Sequence, residues 1–245
     1  MQTRRMWTIC LQSSACKTMN LKRIKGIVFD FDGTLARPEL SFEEMNRAAV
    51  DAVEALMPQF PPKEEPALEW LEKVYLAASR LHGEVFAQKV RRRADTAMAE
   101  VEVAAIKRGG LFPETREILK KLVKSNVKTG IVTRNCREAV LTALPDLEKL
   151  CTCLLSRDDI SKWKPDPAHL STALDRMRIA PGEALMVGDD PMDITVGRKC
   201  NTRTAAVLCG HAPKEKLLSC MPDFIAADCA DLLGLLADKN LIELY

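Results

Sequence analysis

The sequence predicts an α/β fold: a doubly wound parallel sheet with helices on both faces and an α-helical domain inserted after the first strand. Three observations predict it. Beyond residue 114, short apolar, β-branched runs alternate with segments of helical period, the pattern of parallel strands joined by crossover helices. Between about 40 and 110 only helical spacing occurs, with no strand signal. Polar and acidic residues gather directly behind the apolar runs, where an open sheet of this kind presents its ligand crevice.

Taken in order, residues 1–20 show neither period. They hold Arg4, Arg5, Ser13 and Ser14 and no acid, weakly like a mitochondrial or plastid transit peptide. The other reading is a disordered extension or one that precedes the true start, with Met19 itself a candidate start. Ile24 to Phe29 is apolar and β-branched and reads as a buried strand. Ala36 to Leu40, with Pro38, is a short exit. Ser41-Phe42-Glu43-Glu44 is a capping box, and Phe42, Met45, Ala49, Ala52, Val53 and Leu56 follow at helical spacing until Pro58, Pro61 and Pro62. Pro66 starts a second helix carrying Leu68, Leu71, Val74, Tyr75 and Leu81, which Gly83 breaks. A third runs from Glu84 to Arg108 and stops at Gly109-Gly110.

The period then changes. Helices are expected over Thr115–Lys124, Arg137–Leu144, Pro167–Met177, Met192–Lys199 and Ala230–Leu236. Strands are expected over Lys128–Thr133, Cys153–Leu155, Ala184–Val187, Arg203–Leu208 and, at the edge, Phe224–Ala226. The division is an extension over 1–20, a core of 21–38 and 111–245, and a helical domain over 39–110. Its hinges are expected at Ala36–Leu40 and Gly109–Pro113.

Composition excludes several classes. Hydrophobic content of 47% and charged content of 29% are ordinary, and no apolar run approaches the ~20 residues of a membrane helix. The net charge of +2 argues against a dedicated nucleic-acid binder. Residues 1–29 carry six basic residues and no acid, which leaves 30 basic against 34 acidic residues elsewhere, a body near −4. The nine cysteines are scattered; Cys151 and Cys153 have the wrong spacing for a zinc or redox pair, and reduced, mostly buried thiols are expected. Nothing in the sequence specifies an oligomeric state.

Four strand-end positions carry chemistry-bearing residues. Asp30 and Asp32 flank one aromatic, and Gly33 permits a sharp turn behind them. Two carboxylates so close repel each other and gain from a hard cation such as magnesium. Thr133-Arg134-Asn135 follows the second strand. Lys164-Pro165-Asp166-Pro167 precedes a helix. Gly188-Asp189-Asp190-Pro191-Met192-Asp193 follows another apolar strand, with three acids in six residues.

Asp30-Phe31-Asp32-Gly33-Thr34 after an apolar strand resembles the first motif of the haloacid dehalogenase-like hydrolase superfamily, and the four stretches in this order match its four motifs. The resemblance implies a Rossmann-like core, a helical cap over 39–110, and a phosphatase working through an aspartyl-phosphate. It implies Asp30 as nucleophile and Asp32 as acid and base. Thr133, Asn135 and Lys164 would meet the substrate's phosphoryl group, with Thr133 and Lys164 also catalytic. Asp30, Asp189 and the Asp32 carbonyl would hold Mg2+, supported by Thr34, Asp190 and Asp193. Many relatives have serine at the place of Asp190, and many have Pro-Gly after an aromatic in the second hinge, where this chain has Phe112-Pro113-Glu114.

Haloalkanoate dehalogenases of this fold lack the second aspartate, because a halide leaves without a proton; Asp32 therefore points to phosphate esters. The implied activity is that of a phosphoglycolate phosphatase-like enzyme acting on a small phosphorylated metabolite, without nucleic acid or membrane. A sugar phosphomutase and a catalytically idle binding protein are the alternatives. The expected location is cytoplasmic, or an organelle if residues 1–20 are a transit peptide. Arg91-Arg92-Arg93 reads as a solvated helix face or, alternatively, as a grip for an anionic substrate.

Overall fold

The computed structural model describes residues 22–58, 60 and 65–245. The extension expected over 1–20, with Met19, and Pro61 and Pro62 lie outside the described residues.

β1 (Gly26–Phe29) is the centre of a six-stranded, all-parallel sheet with β2 (Lys128–Val132), β3 (Cys153–Leu155), β4 (Ala184–Gly188), β5 (Arg203–Val207) and β6 (Phe224–Ala226), in the order β3-β2-β1-β4-β5-β6. The sheet grows from β1 towards β3 on one side and, after β4, towards β6 on the other. Phe29 registers with Ile131 of β2 and with Val187 of β4, so the order reverses at Asp30.

Strand alternation sorts the core into two layers. Ile27, Phe29, Ile131, Leu185 and Val187 face α4 (Thr115–Lys124), α5 (Arg137–Ala143) and α9 (Cys229–Asp238), which contribute Leu119, Val140 and Leu236. Val28, Val132 and Met186 face α6 (Pro167–Met177) and α7 (Pro191–Lys199), which contribute Leu170, Leu174 and Val196. α8 (Lys214–Ser219), six residues long, was too short to stand out by period; its Leu217 packs with Ile194 and Ala206.

The segment after β1 contains α1 (Phe42–Glu54), α2 (Ala67–His82) and α3 (Glu84–Gly109). They enclose an apolar cluster of their own, including Ala49, Val53, Trp70, Leu71, Val74 and Met98. α3 serves both clusters: Val90 and Met98 face the insert's interior, while Ile106 belongs to the sheet's. Ser41 caps α1 through the Glu44 amide at 3.3 Å, but the other half of the box is missing, since the Glu44 carboxylate lies 3.5 Å from Arg108. Phe42 and Leu81, expected inside by spacing, are each 71% exposed. They sit in end turns, where the period continues but its packing partners do not.

The segments entering and leaving the insert run side by side. The Arg37 amide donates to the Gly110 carbonyl at 2.9 Å and the Phe112 amide to the Leu35 carbonyl at 3.1 Å. At Gly109 a β-carbon would lie 1.9 Å from the Arg37 carbonyl oxygen, so this approach requires glycine. No helix among the described residues is long and apolar enough to cross a membrane.

Candidate active site

Asp30 continues β1, its amide donating to the Val187 carbonyl at 2.8 Å. The chain then folds back: Gly33 takes a φ of +79°, and the Leu35 and Ala36 amides both donate to the Phe31 carbonyl at 2.9 Å. A side chain at Gly33 would meet Asp189, its β-carbon 2.3 Å from Oδ2. The turn thus needs glycine for its backbone and for its neighbour.

Asp30, Asp189 and Asp193 are buried, and one carboxylate oxygen of each lies within 4.8 Å of the others, a set that could hold a metal ion. Lys164 enters beside it, its Nζ 2.6 Å from Asp30 Oδ1 and 2.7 Å from Asp193 Oδ1. Burial alone would depress this ammonium; Asp193 and Asp30 more than offset that and hold it above the ordinary lysine range. Asp189 accepts from the Thr34 hydroxyl at 3.1 Å and the His211 amide at 2.9 Å. Burial and the Asp30 charge still push it up to about 6, a repulsion that a cation relieves.

Asp32 turns away from this cluster. Asn135 Nδ2 donates to both of its carboxylate oxygens, at 3.1 and 2.9 Å. The residue keeps some exposed surface. Nevertheless, desolvation of the carboxyl and the neighbouring Asp30 push it up to about 8, favouring its protonated form. The Thr133 hydroxyl accepts from the Asn135 amide at 3.0 Å, which leaves its own proton free to donate elsewhere. Asp190 is the N-cap of α7: it accepts from the Met192 amide at 2.8 Å, and Asp193 Oδ2 accepts from the Asp190 amide at 3.2 Å. Its side chain is exposed and shapes the helix start.

Three residues were not anticipated from sequence. His169 Nδ1 accepts from the Lys164 amide at 3.1 Å and its Nε2 lies 3.1 Å from the Leu155 carbonyl, which fixes a neutral ring. Burial, with the Lys164 charge, lowers it to about 4. Glu102 of α3 and Arg157, in the turn after β3, form a buried ion pair behind the Asn135 loop. The available signals were weak: a histidine on the buried stripe of α6 beside Leu170, and a glutamate between Met98 and Ile106 in that of α3.

The insert meets the core beside these motifs. Arg134, next to Thr133, pairs with Glu69 of α2 at 2.6 Å. Trp163, next to Lys164, packs on the insert's cluster beneath the Arg91 guanidinium, 5.3 Å from its ring centre. The basic triplet therefore divides. Arg92 and Arg93 are exposed, while Arg91 is neutralised by Glu72 at 2.6 Å and Asp95 at 3.0 Å and is no free anion grip. All seven described cysteines are free thiols.

A family model described as haloacid dehalogenase-like hydrolase matches residues 27–207. A pyrophosphatase, PpaX, of Bacillus thuringiensis is 36% identical over 126 residues, 51% of this chain and 58% of that protein. The PpaX of Oceanobacillus iheyensis is 31% identical over 130 residues, again spanning only 61% of its length. A solved hydrolase from Pseudomonas syringae, 23% identical, superposes with a TM-score of 0.62 over 87% of this chain and 98% of its own. A structure titled a predicted phosphoglycolate phosphatase, from Haemophilus somnus, is 21% identical and gives 0.61 over 86% and 97%.

Proposed function

The chain belongs to the haloacid dehalogenase-like hydrolase family, and from that premise we propose that it is a magnesium-dependent phosphatase that hydrolyses a small phosphomonoester through an aspartyl-phosphate on Asp30. The observation that carries the reading is the convergence of Asp30, Asp189, Asp193 and Lys164 beyond the central strand. The all-oxygen, buried, mutually repelling donor set fits a hard cation. Asp30, Asp189 and the Asp32 carbonyl would hold magnesium, which when bound screens the phosphoryl charge from the anionic nucleophile.

Asp30 attacks phosphorus. Its Oδ–P bond forms as the ester P–O bond breaks, and the leaving oxygen takes the Asp32 proton. Water then attacks the same phosphorus and gives its proton to Asp32. The P–Oδ bond breaks, inorganic phosphate leaves and the Asp30 carboxylate is restored. Lys164, a compact charge held at 2.6 Å from Asp30, offsets negative charge in both transition states. The Thr133 hydroxyl donates to a phosphoryl oxygen. The helical insert acts as a cap that limits the site to small substrates and reads the part of the substrate beyond phosphorus. The curated relatives named pyrophosphatases add an anhydride to the candidate substrates.

The test is phosphate release from phosphoglycolate, hexose phosphates, glycerol phosphate, pyrophosphate and nitrophenyl phosphate, with magnesium and with a chelator. Magnesium-dependent release is expected from the native chain and none from a folded Asp30→Asn variant, since an amide is no nucleophile. Release near the native rate from that variant would overturn the covalent mechanism; an isomerised sugar phosphate without free phosphate would make the enzyme a mutase.

A further inference from the structure

Glu102 and Arg157 form a charge pair with both side chains at most 4% exposed. It joins α3 of the insert to the turn after β3. The pair touches the backbone of three consecutive residues. Arg157 Nη1 donates to the Arg134 carbonyl at 3.1 Å, the Arg157 amide donates to the Asn135 carbonyl at 3.2 Å, and the Cys136 amide donates to Glu102 Oε2 at 3.2 Å. The Cys136 amide also reaches Asn135 Oδ1 at 2.7 Å, which turns the Asn135 Nδ2 group towards Asp32. An unbroken series of contacts therefore runs from the insert to the Asp32 carboxyl.

Stability alone accounts poorly for the pair. Arg157 Nε and Nη2 are buried and find no hydrogen-bond partner among the described residues. Buried pairs with unmet donors are commonly replaced by apolar residues without loss of stability. Yet Glu102 is the one buried charged or polar residue that the insert contributes among the described residues.

We propose that the Glu102–Arg157 pair is a positioning device, fixing the 134–136 loop so that Asn135 holds the Asp32 carboxyl in line with the leaving oxygen. The insert thereby governs proton transfer without touching the reacting atoms. This rests on the reading of Asp32 as acid and base.

The test compares glycerol phosphate, whose alkoxide needs a proton to leave, with nitrophenyl phosphate, whose leaving group hardly does. The variants are Glu102→Gln and the apolar pair E102M/R157L, in the full chain with magnesium. The expected result is a kcat on glycerol phosphate lowered roughly 10- to 100-fold, the usual cost of a misplaced catalytic group, with KM and the nitrophenyl rate changed less than about 3-fold. The apolar pair should melt at or above the native midpoint. Equal losses on both substrates, no loss on either, or failure of both variants to fold would overturn the proposal. Asp32→Asn serves as the control: if it too shows no dependence on leaving group, the role of Asp32 has failed. If it alone shows the dependence, only the role of the pair has failed.

Discussion

At the carboxyl ends of the strands, Asp30, Lys164, Asp189 and Asp193 are all less than a tenth exposed, and each is met by a charge or a hydrogen bond. In the insert's own cluster the buried positions are Ala, Val, Leu, Met and Trp. Apart from Glu102, which turns to Arg157 of the core, its ion pairs keep contact with solvent, as with Arg47–Glu43, whose side chains are 68% and 81% exposed. Taking charges out of water is costly even when they are paired, whereas a solvated pair contributes little. On the reading proposed above, the first region accepts that cost to fix its functional groups, while the insert's own cluster is an ordinary apolar bundle. On that same reading, substitutions in the first region should be felt as chemistry and those in the insert's own cluster as recognition.

The sharpest way to break the comparison is at Asp32, which is neither fully buried nor part of the carboxylate cluster. We expect Asp32→Asn to slow turnover of alkyl phosphates by roughly 10²- to 10⁴-fold, the range for a positioned acid–base group. The loss on nitrophenyl phosphate should be much smaller. Steady-state rates on both substrates decide it; an equal loss would reduce Asp32 to a structural residue.

The two regions were also unequally legible in sequence. β3, α4, α6 and β6 coincide with the expected segments, because the helices have apolar stripes of period 3.6 and the strands are short apolar runs between turn residues. The nine predicted site residues all lie at or just beyond the carboxyl ends of strands or at helix starts. Asp190, however, turns out to cap α7, and the Asp32 side chain turns to Asn135 rather than to the carboxylates. What stayed hidden depends on tertiary contact. Glu102 and Arg157 are 55 positions apart, and their pairing follows from how α3 docks on the sheet. His169 becomes informative only once its ring is seen to accept the Lys164 amide.

His169 tests the core's side of the comparison through pH. Its folded value of about 4 lies below the ordinary 6.5. Between those values the unfolded chain binds a proton that the folded chain refuses. Stability is therefore fully present above pH 6.5 and is lost as pH falls towards 4, by roughly 3 kcal/mol in all. Chemical denaturation at several pH values should show this loss in the native chain and a shallower slope in His169→Gln. Equal slopes would remove His169 from the acid response. The same variant, by loosening the Lys164 backbone, should also lower kcat by up to about 10-fold at neutral pH.

The smallest effect is expected where the two regions meet. Glu69 and Arg134 are 2.6 Å apart, but their side chains remain 43% and 23% exposed. Solvent screens such a pair, and holding two long side chains in one geometry costs entropy, so its coupling should be about 0.2–1 kcal/mol and should fall as salt is added. A double-mutant cycle with Glu69→Gln and Arg134→Gln, read by denaturation at low and high salt, measures it directly. Arg134 is the neighbour of Thr133, so the same variants also report whether this weak link matters at the site. If the insert opens and closes as a cap, a link of this strength can be broken in each turnover, and kcat on nitrophenyl phosphate should change less than about 3-fold. A coupling above about 3 kcal/mol would mean that the boundary behaves like a buried core pair. The insert would then be a fixed part of the catalytic body, and the division between a region of chemistry and a region of recognition would not hold.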